Sequence, residues 1–441
     1  MNKTIFGTDG IRSLAKDKIF NTQSLDILSQ AILKKKNFTV VIGRDTRESS
    51  KMIENTFSKS LKKNGAKVFK VGLLPTPAIS YLTKKLKCHL GIVISASHNP
   101  YQYNGIKFFN KNGEKLSDLE EKKIENNFYK INKKNIKKIK KGEIKILRDS
   151  LRLYKKKIFN IIKTCKFKKK LKIIVDCANG ASYKAAKYLF SDIKMNFVYI
   201  KDKPNGKNIN YKCGTLYPQN LIKKVKQTSA NFGISFDGDA DRVICCDEKG
   251  KIIDGDKILA CLSEYFSNKN KLNINAVVGT LMSNRGLELF VRNLGLKFYR
   301  AKVGDKFVYK LMKEKRCFLG GEQSGHIIIN KFGPTGDGIL IAAYLIKIIA
   351  ENDKDPSKIF NLYRPHLQIQ KNIKYKDSKK QKNRKISSLL KNYNNKIINH
   401  SRVLIRFSGT EPVVRLLVEG VKYSVIKHLA NILEKKIRKS L

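Results

Sequence analysis

Gly91-Ile-Val-Ile-Ser-Ala-Ser-His-Asn-Pro100, running on through Asn104-Gly-Ile-Lys-Phe-Phe109, is the stretch on which the reading of this chain turns. Leu90 to Ile94 is short, apolar and rich in β-branched residues, which predicts a buried strand. The strand stops at Ser95-Ala96-Ser97-His98-Asn99-Pro100, because Pro100 cannot continue a ladder and biases Asn99 away from helix. A small hydroxyl residue is thereby set on a tight turn at the carboxyl end of a buried strand. Open α/β sheets place their chemistry at that end. The same residues also suit an inert Asx/Ser turn. Neighbouring side chains on an extended chain point opposite ways, so His98 is not expected to pair with Ser97. Ser97 needs partners from elsewhere in the chain.

Working outward, strand and helix patterns alternate. Strand-like runs lie at Phe38 to Ile42, Lys67 to Val71, Leu171 to Asp176, Asn196 to Ile200, Asn231 to Phe236, Ala276 to Gly279 and Lys297 to Ala301. Helical spacing covers Ser50 to Asn64, Leu116 to Tyr129 and the wholly apolar Ile339 to Ala350. Val243 to Asp247 and Lys251 to Asp254 read as a hairpin over Glu248-Lys249-Gly250. The opening Phe6-Gly7-Thr8-Asp9-Gly10-Ile11-Arg12 reads as turn, and the Ser97 loop is expected to run on to Lys107. From about 363 the pattern becomes strands followed by a helix over Tyr423 to Arg438. The expected fold is α/β: three similar α/β domains with mixed sheets (1–148, 149–252, 253–362) and a smaller C-terminal α+β domain (363–441), around one central cleft. The three larger units look like a degenerate repeat.

Composition narrows the class. No apolar run approaches the ~18 residues of a membrane span, and the N-terminus lacks a signal peptide's apolar core, so a cytoplasmic protein is expected. None of the eight Cys forms C-x-x-C or a zinc-finger spacing, and most lie in apolar runs, which reads as reduced core thiols. The net charge is +56. Its lysines are dispersed among Ile and Asn, all with A/T-rich codons; the dense run Lys130 to Lys145 has no aromatic, and Lys374 to Lys396 has only Tyr375 and Tyr393 near its two ends rather than interleaved through it. A specific nucleic-acid function is therefore not expected, although a basic nucleic-acid-binding protein is the alternative from another class.

Three further stretches carry chemistry. Asp237, Asp239 and Asp241 follow a strand at i, i+2 and i+4. Three crowded carboxylates repel one another unless a hard divalent cation sits between them, and an open position favours Mg²⁺ carrying a phosphate oxygen. Asp237 to Glu248 also matches the acidic positions of an EF-hand loop, but Arg242 stands where its glycine belongs and both flanks read as strands. Gly321-Glu-Gln-Ser-Gly-His326 offers Glu322, Ser324 and His326, mixed donors and acceptors of the kind sugar hydroxyls need. Arg406-Phe-Ser-Gly-Thr-Glu-Pro412, with Arg415 beyond it, is a turn with exposed N–H groups, two hydroxyls and flanking guanidinium groups, suited to a phosphate. No P-loop is present. A nucleophile candidate, a metal site, a polyol reader and an anion nest together specify phosphoryl transfer on a sugar.

These stretches, in this order, resemble the α-D-phosphohexomutase family: Phe6 to Arg12, Ser95 to Pro100, Asn104 to Lys107, Asp237 to Arg242, Gly321 to His326 and Ser408 to Pro412. The resemblance spans the chain and is greatest to the branch acting on glucosamine phosphates. It implies that Ser97 is a phosphoserine. It also implies that Asp237, Asp239 and Asp241 hold one Mg²⁺ per subunit together with Ser97. The implied reaction converts glucosamine 6-phosphate to glucosamine 1-phosphate through a 1,6-bisphosphate, feeding UDP-N-acetylglucosamine and peptidoglycan synthesis. A phosphomannomutase or phosphoglucomutase is the alternative within the family. By the same resemblance Arg12, Lys107 and His326 serve acid/base or electrostatic roles near the reacting oxygens. Glu322 and Ser324 read the sugar, and Arg406, Ser408, Gly409, Thr410 and Arg415 hold its distal phosphate. The implied partners are the phosphosugar and its bisphosphate, with neither nucleic acid nor membrane; the enzyme would be a monomer or homodimer. Departures from the family pattern include Ser13, Glu48-Ser49-Ser50, Ala240 and Phe407, none of which removes a reacting group.

Overall fold

Three of the four sheets are built on one plan, in which a buried parallel strand runs into a functional loop and returns as its antiparallel neighbour. The computed structural model describes residues 4–7, 9–33, 37–131, 142–163, 168–268, 274–375, 392–393, 396–398, 400–407 and 412–441. The first sheet comprises β1 (Ile11–Leu14), β2 (Thr39–Arg44), β3 (Lys67–Leu73), β4 (Leu90–Ile94), β5 (Tyr103–Asn110) and β6 (Glu143–Ile146), in the order β1-β5-β4-β2-β3-β6. Here β4 is wholly buried and parallel to β2, as its continuous apolar sequence predicts, and β5 returns antiparallel with Val93 opposite Lys107.

The second sheet comprises β7 (Lys172–Asp176), β8 (Asn196–Ile200), β9 (Phe232–Phe236), β10 (Val243–Asp247) and β11 (Ile252–Ile253), ordered β11-β10-β9-β7-β8. The expected hairpin is present as β10 and β11. In the third, β12 (Ala276–Thr280), β13 (Lys297–Ala301), β14 (Leu319–Gly321) and β15 (Ile327–Ile329) are ordered β13-β12-β14-β15. The fourth is antiparallel throughout: β16 (Leu367–Lys374), β17 (Lys396–Ile398), β18 (Ser401–Phe407) and β19 (Val413–Gly420), ordered β16-β19-β18-β17, with the helix Tyr423–Ser440 packed on it. The repeated loop-bearing hairpins are β4/β5, β9/β10 and β14/β15.

Three expectations are corrected. Asn104 to Lys107 is not loop but part of β5, because its N–H and C=O groups pair with β4 on one side and β1 on the other. Ile11 and Arg12 belong to β1 rather than to the opening turn. The end of the basic run, whose lysines and isoleucines carry no strand signature in the sequence, supplies β6, parallel to Lys67–Lys70. An EF-hand is excluded, since β9 and β10, not helices, flank Asp237 to Asp241.

The apolar prediction at Ile339 to Ala350 corresponds to the helix Gly338–Ala350, buried at every residue, as an all-round apolar helix must be. It packs against the helix Ser150–Lys163 and joins the first three sheets into one core. Asp337 caps its N-terminus by accepting from the Leu340 N–H.

Candidate active site

Ser97 follows β4 in the left-handed region at φ +51°, a conformation costing a non-glycine residue about 1 kcal/mol. The surroundings hold it there. The fully buried Arg47 donates from Nη2 to the carbonyls of Ser97 (2.8 Å) and Asn99 (2.8 Å), and from Nη1 to that of Pro100 (2.6 Å). Its Nε is paired with Asp45 at 2.9 Å. Asn210 Nδ2 also donates to the Ser97 carbonyl, at 2.9 Å. Gly238 lies so near that a Cβ there would stand 2.5 Å from the same oxygen, so only glycine fits.

The turn aims Ser97 Oγ at the metal loop, where it donates to Asp237 Oδ2 at 2.7 Å. The left-handed backbone also overturns the extended-chain expectation for His98, whose Nδ1 lies 3.3 Å from Ser97 Oγ. Arg242 Nη1 is 2.9 Å from the same nitrogen, and as an obligate donor it requires the Nδ1 lone pair. Burial, with Arg242 and Arg12 beside it, lowers the His98 pKa to about 4, so the ring is neutral.

Asp237, Asp239 and Asp241 are buried and converge, each offering an oxygen within 4.8 Å of the others. Burial and then the charges of Asp241 and Asp239 push the Asp237 carboxyl well above its usual range. Lys107 Nζ reaches across from β5 to Asp239 Oδ2 at 2.8 Å, Asp241 Oδ2 at 3.0 Å and Asp9 at 3.2 Å. Burial opposes its charge, but the three carboxylates prevail and hold the ammonium. The other oxygen of Asp239 and of Asp241, Oδ1 in each, is buried with no hydrogen-bond partner among the described residues. Hard carboxylate oxygens left unsatisfied around a buried point are what a divalent cation requires, so the triad fits a metal ion. Ala240, at φ +57°, carries a left-handed cost that glycine would avoid.

Sequence reasoning missed a second layer of charge. Lys115 bridges Asp9 (2.5 Å) and Asp305, and Asp305 lies 3.1 Å from His326 Nε2. His326 Nδ1 is 3.6 Å from Asp241. Burial opposes protonation of His326, but Asp305 and Asp241 outweigh it and raise its pKa to about 10. The Gly336 N–H also points at Nε2, at 2.9 Å, which suits only a neutral ring. The two partners of Nε2 are alternatives, and two facing carboxylates favour the imidazolium. A pKa above the unfolded 6.5 stabilises the metal-free fold fully below about pH 6.5 and loses that contribution as pH rises toward 10. Imidazole ¹⁵N spectra of metal-free protein at pH 7.5 should show His326 doubly protonated and His98 neutral; a neutral His326 would contradict the assignment.

The remaining predicted residues fall as follows. Arg12 joins the cluster, its Nη1 3.3 Å from Asn99 Oδ1 and its Nη2 3.3 Å from Asp9. Glu322 is buried and accepts from the Gly304 N–H at 2.8 Å, while Ser324 is exposed on the same loop. Arg406 and Arg415 face each other across β18 and β19 in the fourth sheet. Ser408, Gly409 and Thr410 lie outside the described residues.

Models of the phosphoglucomutase/phosphomannomutase family match the chain in four successive pieces. They are alpha/beta/alpha domain I over residues 3–135, domain II over 152–250, domain III over 254–366 and the C-terminal domain over 371–436. The chain belongs to this family. As a phosphohexomutase it is an enzyme, and the alternative of a nucleic-acid-binding protein falls away. A curated relative, the phosphoglucosamine mutase of Campylobacter curvus, is 38% identical over 444 residues, covering 99% of each chain. That of Nautilia profundicola is 40% identical over 427 residues, 96% of this chain and 97% of its own. Among solved structures, a phosphoglucomutase/phosphomannomutase family protein from Burkholderia thailandensis superposes with a TM-score of 0.85 at 23% identity, covering 99% and 97% of the two chains. The N-acetylphosphoglucosamine mutase of Aspergillus fumigatus, in complex with GlcNAc-6P and magnesium, gives 0.64 at 17% identity over 99% and 95%. These last two likenesses speak for the fold.

Proposed function

We propose that this phosphohexomutase interconverts glucosamine 6-phosphate and glucosamine 1-phosphate, with Ser97 as the phosphoryl carrier. The observation that carries the reading is Ser97 Oγ, buried and held 2.7 Å from Asp237 at the head of the carboxylate triad. The relatives named phosphoglucosamine mutase support the choice of sugar.

In this reading phosphorylated Ser97 gives its phosphoryl group to O1 of glucosamine 6-phosphate, the Ser97 Oγ–P bond breaking as O1–P forms and the O1 proton ending on Ser97 Oγ. The 1,6-bisphosphate then turns in the cleft, and its 6-phosphoryl group returns to Ser97, the O6–P bond breaking as Oγ–P forms and the Oγ proton ending on O6. Mg²⁺ would be held by Asp237, Asp239, Asp241 and the Ser97 phosphate, where it would neutralise charge on the group in transit. Phosphoryl transfer passes through a loose transition state and needs positioning and positive charge more than proton abstraction. Lys107 and Arg12 supply that charge, and His326 adds to it while protonated. Glu322 and Ser324 would read the sugar hydroxyls. Arg406, Arg415 and the segment 408–410 would hold the distal phosphate. Buried free thiols and the absence, among the described residues, of a helix long and apolar enough to cross a membrane are in keeping with a cytoplasmic enzyme.

The test is a side-by-side assay of glucosamine, glucose and mannose phosphates with Mg²⁺ and catalytic bisphosphate. Highest kcat/KM is expected for the glucosamine phosphate. Faster turnover of glucose 1-phosphate or mannose 1-phosphate would overturn the choice of sugar while leaving the carrier role of Ser97 standing.

A further inference from the structure

A second cavity, of about 330 Å³, lies where the first three domains meet. Four lysines line it from three segments: Lys85 at the end of the helix Thr76–Lys85, Lys156 and Lys157 on the helix Ser150–Lys163, and Lys331 just beyond β15. Tyr81 and Phe332 supply rings to its wall. Thr76, at the other end of the Lys85 helix, donates to Asp239 Oδ2 at 2.6 Å. The cavity is thus about 15 Å from the metal loop at 1.5 Å per helical residue.

The lysines differ in one respect. Lys157 is partly buried, its side chain 7% exposed, and is paired with Asp337 at 2.7 Å, its Nζ 5.7 and 5.5 Å from the ring centroids of Tyr81 and Tyr154. Lys85, Lys156 and Lys331 are exposed at the rim and have no carboxylate partner among the described residues. Three uncompensated ammonium groups converging on a concave, partly aromatic pocket form a field that attracts anions and a wall that suits a planar ring. The volume is at the lower end of the range for small-ligand sites.

We propose that this cavity is a binding site for a compact organic diphosphate of the nucleoside-diphosphate class, with its phosphates on Lys85, Lys156 and Lys331 and its ring against Tyr81 and Phe332. The site communicates with the cleft through Asp337. That carboxylate accepts from Lys157, from the Tyr154 hydroxyl at 2.5 Å and from the Leu340 N–H, and the Asp337 N–H donates at 3.4 Å to the carbonyl of Ile327, next to His326. A phosphate that draws Lys157 off Asp337 removes one restraint on that segment and on His326, so occupancy lowers turnover.

The experiment is titration calorimetry of the full chain with ADP and with inorganic pyrophosphate, the cleft being saturated with glucose 1,6-bisphosphate and Mg²⁺. Saturable one-site binding is expected, tighter for ADP than for pyrophosphate. Lys85→Ala/Lys331→Ala should weaken it by about 10-fold or more. A control pair on the helix Glu48–Lys63, Lys59→Ala/Lys62→Ala, should leave it within about twofold. Saturating ADP should lower kcat in the parent and leave the Lys85/Lys331 variant unaffected. Absence of saturable binding would overturn the proposal. So would equal weakening by both double variants, which would reduce the effect to non-specific attraction by a highly basic protein. The binding readout does not depend on which sugar phosphate is turned over.

Discussion

Ser97→Ala is expected to abolish turnover, by at least about 10⁴-fold, while leaving the fold in place. The loss is chemical, because Ala has no oxygen to carry the phosphoryl group. The fold survives because the turn is held by its backbone: Arg47 and Asn210 grip the carbonyls of residues 97, 99 and 100, and the Ser97 N–H donates to Ser95 Oγ at 2.9 Å. Ala tolerates the left-handed backbone about as well as Ser, so the stability change should be about the 1 kcal/mol of one lost hydrogen bond. The pairing of a steady-state assay with a denaturant midpoint checks both halves. Residual activity above a trace in a folded variant would remove Ser97 from the carrier role.

Lys107→Met should have two separable effects. In metal-free buffer the variant leaves Asp239 and Asp241 buried, with the half-buried Asp9 beside them, without their shared cation. Breaking a buried pair by removing one partner costs about 3–5 kcal/mol, so the unfolding midpoint should fall clearly. Adding Mg²⁺ should restore part of it, because a cation on the triad replaces some of the missing charge. Turnover should drop by about 10²–10⁴-fold even at saturating Mg²⁺, because a positioned cation facing the reacting group is lost. Unchanged stability in EDTA would show that the ammonium does not neutralise the triad. Near-parent turnover would show that it has no part in the transfer.

Much of the architecture could be read from the chain because buried parallel strands are continuous apolar runs. The strand predictions at Leu90 to Ile94, Asn231 to Phe236 and Ala276 to Gly279 correspond to β4, β9 and β12 within a residue. The elements missed lack that signature. Asn104-Gly105 looks like a turn, and only pairing with both β1 and β4 makes it strand. The four-residue β1 is too short to show a period.

At the site, Ser97, Lys107, His326 and the triad are brought together as the resemblance implied. Asp9, Lys115 and Asp305 were not foreseen, since single charges in a chain this rich in lysine stand out from nothing. Nor was the contact of His98 with Ser97, because a left-handed Ser97 cannot be deduced from local sequence, and that one dihedral turns two side chains expected to diverge into neighbours.

The central claim is that Ser97 carries a phosphoryl group, and intact-mass measurement tests it most directly. Protein treated with glucose 1,6-bisphosphate and Mg²⁺ should gain the mass of one phosphoryl group, located at Ser97 by peptide fragmentation. That mass should disappear on incubation with excess glucosamine 6-phosphate and never appear in Ser97→Ala. A turnover-competent enzyme with no added mass, or one whose phosphoryl group maps to another residue, would contradict the account.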